Sequence, residues 1–171
     1  MIQNIPDGAF AGMFINCTKL NKIAPFNIMT IGKNGCNAMY KNCKAIETLG
    51  DADNIRNSIT SIGDYGFAHI FSNCSKLKFN NNLIVEKYPR IFSNLNTLGK
   101  YALCGMFENC GELNYPIEIN NGVSINEGCF SSMYLNCVNM LGSSSNKMIT
   151  LNYANRTVAD YCFMNMFRNC A

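Results

Sequence analysis

Ten cysteines and one histidine are the residues of this 171-residue chain best suited to carry chemistry. Thiolates bind zinc, and a thiolate beside an imidazole is a nucleophile. Zinc sites favour short Cys-x-x-Cys pairs, usually two of them. The nearest spacings here, Cys104 to Cys110, Cys36 to Cys43, Cys129 to Cys137 and Cys162 to Cys170, are all longer. His69 lies in GFAHIF between the core candidates Phe67 and Ile70, with no matching acid and no unique cysteine. The expectation is therefore no catalytic residue, no metal and no cofactor. Disulfides between neighbouring segments would need an oxidising compartment, and the regular placement of the cysteines argues for burial instead.

Six of the cysteines close variants of one motif: MFINC, MYKNC, IFSNC, MFENC, MYLNC and MFRNC. Anchored on its Asn-Cys pair, each copy is a gapless block of thirteen positions. The first is aliphatic: Ile5, Ile31, Ile62, Leu98, Ile125 and Val158. The fifth is small or Cys, from Ala9 to Cys162, and the sixth is mostly Phe, from Phe10 to Phe163. The ninth is Met13, Met39, Ile70, Met106, Met133 or Met166, and an aromatic ring follows it each time. Connectors between blocks differ widely in length. A fixed block with elastic connectors reads as one packed unit per turn of a solenoid, with variation pushed into loops.

Apolar positions at i, i+1, i+4 and i+5 predict one face of a helix about two turns long. Asp7, Asp64, Glu127 and Asp160 sit where they would suit the N-H groups of its first turn. The Asn before each cysteine suits a left-handed cap, with the cysteine turning back as a small apolar contact. Beyond it, LNKI, IETL, LKF and LNYPIEI read as short strands that would stack as a parallel sheet. The expected fold is an α/β solenoid over residues 1–171, with short parallel strands on one face and short helices on the other. Ten methionines invite a reading as a metal site or a soft binding surface, but five share the ninth position and read as core.

Residues 59–77, ITSIGDYGFAHIFSNCSKL, resemble the leucine-rich repeat of bacterial surface proteins often called BspA-like, whose unit has the style ISxIGxxAFxxCxxL. IMTIG and LNTLG echo the same opening. The resemblance covers the whole chain as six partial or complete units, lengthened by the Met-aromatic pair. It implies a leucine-rich-repeat-like solenoid and a non-enzymatic adhesion or binding role at a cell surface, facing a protein or glycan partner.

Composition excludes other classes. Charged residues make up 15% with a net charge of +3, too weak and scattered for a nucleic-acid surface. No window reaches the length of a membrane span, and MIQNIPDGAF lacks the basic start and apolar run of a signal peptide. The longest connectors, residues 78–94 and 142–155, are candidate contact regions. In and beside them Tyr88, Arg90, Tyr153 and Arg156 are of types favoured at interfaces. No polar capping unit flanks the first or last block, so the expectation is either a segment of a longer protein or ends covered by other chains, self-association through the uncapped ends among them. That favours a second reading, a structural component of a multi-chain assembly such as a phage virion or tail-associated protein. Extracellular or cell-surface placement goes with the first reading and the virion with the second.

Overall fold

A computed structural model describes residues 2–23, 28–49, 58–79, 92, 94–117, 122–140 and 157–170. All six blocks fall within them, each forming part of one coil; we number the coils 1 to 6. The coils open on two-residue strands, β1 (Asn4–Ile5), β2 (Thr30–Ile31), β3 (Ser61–Ile62) and β4 (Thr97–Leu98). These pair in parallel in the order β1-β2-β3-β4, with Ile5 beside Ile31, Ile31 beside Ile62 and Ile62 beside Leu98. Ser124 of coil 5 bridges to Thr97. Side-chain hydroxyls follow the same column: Thr30 Oγ1 donates to Asn4 Oδ1, and Thr97 Oγ1 to Ser61 Oγ, both at 2.7 Å.

The expected helices are absent among the described residues, which overturns the α/β reading with short helices on one face. Each block is instead a run of overlapping turns. Odd-numbered block positions donate their N-H three residues back, as Ala9 does to Pro6, Ala11 to Gly8 and Met13 to Phe10. Even-numbered positions donate to the next coil: Gly8 to Lys33, Phe10 to Gly35, Gly12 to Asn37, Phe14 to Met39 and Asn16 to Lys41, at 2.8–3.0 Å. The same five bonds recur at every step between neighbouring coils. A helix would hold those N-H groups within its own segment. What turns them outward is a left-handed residue at positions 4, 8 and 12 of every coil, such as Gly8, Gly12 and Asn16 or Tyr101, Gly105 and Asn109. Positive φ at the third residue of a three-back turn is the mark of a type II turn.

The expected strands are also displaced. LNKI, IETL and LKF, and the described part of LNYPIEI, carry no assigned strand; the sheet runs through the residues that open each block. The glycines of the ITSIG-like openings explain why that column packs so closely. A Cβ on Gly99 would overlap the backbone N of Asp64 in the preceding coil, and one on Gly63 would crowd the backbone of Gly32.

Inside the stack, block positions 5, 6, 9, 10 and 13 face the core, so identical columns meet across coils. The tenth position forms a continuous stack of six rings, Phe14, Tyr40, Phe71, Phe107, Tyr134 and Phe167. Their centroids are 5.2–5.9 Å apart and their planes lie within 12° of parallel. Such pairs are worth about 0.5–1.5 kcal/mol beyond their burial. The Tyr134 hydroxyl, wholly buried, accepts the Ile117 N-H at 3.0 Å and so ties a connector to the stack.

Truncation should therefore cost most at the centre of this stack. Phe107→Ala is expected to lose about 3–5 kcal/mol, the usual range for a buried ring. Phe14→Ala, in an outer and half-exposed coil, should lose clearly less. Urea denaturation of both variants checks the gradient, and equal losses would contradict the ring stack as described.

Candidate functional site: the asparagine-cysteine ladder and the open coil ends

The Asn-Cys pair closing each block does two structural jobs. Each asparagine is left-handed, with φ between 59° and 65°, a conformation that Asn tolerates better than most residues. It supplies the conformation expected of it, although it ends a run of turns and no helix. Its amide then joins a ladder: Nδ2 of Asn42, Asn109, Asn136 and Asn169 donates to Oδ1 of the asparagine one coil earlier, at 2.6–2.8 Å.

The cysteines do more than fill a corner. Sγ of Cys43, Cys74, Cys110, Cys137 and Cys170 donates to the tenth-position carbonyl of the previous coil, Phe14, Tyr40, Phe71, Phe107 and Tyr134 respectively, at 3.1–3.2 Å. That carbonyl already accepts the N-H of its own coil's cysteine, so the thiol takes the second lone pair. All ten cysteines are free thiols. Burial pushes Cys36, Cys74 and Cys137 up to about 12 and Cys110 well above the ordinary thiol range. Burial also raises Cys43, Cys104 and Cys170. Cys129 and Cys162 act on one another across adjacent coils, which together with burial raises the first and lowers the second. The thiols that burial raises are held neutral and are poor nucleophiles.

His69 occupies the left-handed eighth position of coil 3 with φ 54°. Its ring lies over Gly105, where a Cβ would overlap Nδ1. Nδ1 stands 3.2 Å from Glu108 Oε2, an electrostatic contact without hydrogen-bond alignment. Burial is the larger influence and lowers the imidazole below its usual value, while Glu108 acts in the opposite direction. Tyr101 does the same at the fourth position, covering Gly128 and donating to Glu127 Oε1 at 2.9 Å. The acids expected at helix starts bond across coils instead. Asp7 Oδ1 accepts the Lys33 N-H, and Asp64 Oδ1 the Lys100 N-H, both at 2.7 Å.

The two outermost described coils differ from the inner ones. Coil 1 presents the carbonyls of Asp7, Ala9, Ala11, Met13 and Ile15, which accept nothing among the described residues. Coil 6 presents the N-H groups of Tyr161, Phe163, Asn165, Phe167 and Asn169, likewise unpartnered among the described residues. Met13 is 58% exposed, whereas Met39, Met106, Met133 and Met166 at the same position are at most 6%. Ile15 on coil 1, and Val158, Tyr161 and Met164 on coil 6, are exposed as well. Cys17, on coil 1, is the one exposed cysteine among the described residues. Sequence pattern pointed to uncovered ends; it did not show that one end is all acceptor and the other all donor.

Tyr88, Arg90, Tyr153 and Arg156 lie outside the described residues. Among the described residues no group of three or more His, Cys, Asp or Glu side chains could hold a metal ion, and no helix is long and apolar enough to cross a membrane. Comparison with protein-family models, with curated proteins and with solved structures finds no match to this chain.

Two outcomes follow from the ladder. Asn136→Ala should be less stable than Asn136→Gly by about 1–2 kcal/mol, because both lose the amide ladder but only alanine strains the left-handed backbone. Denaturant titration of the pair measures it. Thiols raised in the folded state keep their protons while those of the unfolded chain ionise, so stability is complete below pH 9 and falls as pH climbs toward 12. Each such thiol contributes a slope of about 1.4 kcal/mol per pH unit in that window. Thermal melts between pH 7 and 11 should show a flat region and then a steep decline.

Proposed function

We propose that this chain is a non-enzymatic structural component of a multi-chain assembly. One observation carries the reading: among the described residues coil 1 leaves five carbonyls and coil 6 five N-H groups without a partner, with apolar side chains exposed beside them. Backbone groups left unpaired at a sheet-like edge are a template for another chain. Cys74, Cys110 and Cys137 support the non-enzymatic part, since burial holds their thiols protonated and each bonds to a carbonyl of the previous coil. The histidine supports it too, because burial disfavours its charged form and its one close acid is out of hydrogen-bond alignment.

Light scattering of the purified 171-residue chain, across roughly a hundredfold range of concentration, tests this. A native mass that rises in whole multiples of the 19.0 kDa chain is expected. A monomer throughout would contradict the proposal.

A further inference from the structure

We infer that Cys129 and Cys162 form a dithiol modification site: a small disulfide oxidises the pair to one bond that clamps coil 5 to coil 6, and an excess of small thiol reopens it. This goes beyond the assembly reading and does not depend on it.

Position singles the two out. The fifth place of the block holds Ala9, Gly35, Gly66 and Ala102 in coils 1 to 4, and a thiol in coils 5 and 6. Space at that place is tight: a Cβ on Gly66 would overlap Ile62 Cγ2 of its own coil. Register sets the two cysteines side by side. Gly128 donates to the Asp160 carbonyl at 2.9 Å and Phe130 to the Cys162 carbonyl at 3.0 Å, on either side of Cys129. One place further on, the Phe130 and Phe163 rings stack with centroids 5.5 Å apart. Disulfide-linked residues have Cα atoms about 4.4–6.8 Å apart, so a coil spacing of this size suits a bond between them.

The two thiols divide the chemistry. Cys129 Sγ donates to the Asn126 carbonyl at 2.8 Å and accepts the Asn126 N-H at 3.0 Å, so its proton is held. Cys162 leans toward the thiolate: Cys129 favours that form most, burial opposes it, and the Phe130 and Cys129 N-H groups add to it. The thiolate is the attacking form. Cys162 Sγ therefore attacks one sulfur of a small disulfide. The small S-S bond breaks, a mixed disulfide forms on Cys162, and the released thiolate takes up the Cys162 proton. Cys129 Sγ then attacks Cys162 Sγ, and its proton goes to the second small thiolate as that leaves. Two protein thiols are oxidised, and one small disulfide is reduced to two thiols.

The thirteenth-position column lacks this division. There each thiol of coils 2 to 6 reaches a carbonyl of the previous coil, and burial raises every one of them. A closed bond at the fifth position wants Cβ atoms about 3.8 Å apart, closer than the coil spacing, and a strained disulfide is readily reduced. Cys129 and Cys162 are both buried, so a small disulfide reaches them when coils 5 and 6 part locally. Their oxidation is therefore slower than that of the exposed Cys17.

Peptide mass mapping of the folded chain, alkylated after equilibration in glutathione buffers of stepped redox ratio, tests the site. A Cys129–Cys162 link should grow with the oxidised fraction and revert when reduced glutathione is restored. In Cys129→Ser the mixed disulfide should stall on Cys162, about tenfold more than on Cys129 in Cys162→Ser. Should either serine variant lose cooperative unfolding, the wild-type link decides alone. A folded wild-type chain without the link, or one that gains it only after urea has unfolded it, would overturn the site. Equal adducts in the two folded variants would overturn the division of roles. None of these results depends on the native mass of the chain, so the site and the assembly reading fail separately.

Discussion

A left-handed residue at every fourth position is the constraint on which the rest depends. Each one reverses the local curl after a turn, so that successive N-H groups point alternately into the coil and along the stack. The inward set closes turns, and the outward set joins coils. A non-glycine residue in that conformation costs about 1–2 kcal/mol, and fourteen of these positions are not glycine. Such strain persists only where surrounding bonds over-determine it. Five inter-coil hydrogen bonds at each step, each worth about 0.5–1.5 kcal/mol net, together with the buried columns, do so here.

Once the coils are in register, like must pack on like. That explains the recurrence of residue types more fully than burial alone: rings stack on rings, amides bond to amides, and thiols reach the carbonyl of the coil before. It also sets the exceptions. Gly105 and Gly128 stand where the His69 and Tyr101 rings of the preceding coils need their space. Outside the stack, Lys100 lies between Asp64 and Glu127, and its ammonium bonds Glu127 Oε2 at 3.0 Å. A one-dimensional repeat of this kind leaves its two outermost coils chemically unlike, one presenting carbonyls and the other N-H groups.

The repeat, its boundaries and its inward residues were legible in the sequence, because a thirteen-residue block without gaps fixes which side chains recur. The helix was a misreading with a physical cause. Apolar pairs at i, i+1, i+4 and i+5 fit a period of 3.6 over two turns, but across positions 5, 9 and 13 the period is 4.0, and a helix would have drifted off its face. Gly8, Gly12 and Asn16 display the left-handed positions openly; Tyr65, His69 and Ala38 at equivalent sites conceal them. The cysteines looked like small hydrophobes because a sequence shows their burial and hides the carbonyl each one reaches. The polarity of the two ends was invisible for the same reason, since it belongs to the backbone.

The most direct measurement is of scalar couplings across hydrogen bonds in a labelled sample, focused on coil 4. Couplings from the N-H of Tyr101, Leu103, Gly105, Phe107 and Asn109 to the carbonyl carbons of Glu127, Cys129, Ser131, Met133 and Leu135 are expected. Couplings from those same amides to carbonyls four residues earlier would mean a helix, and would contradict the coil-to-coil ladder from which everything else here follows.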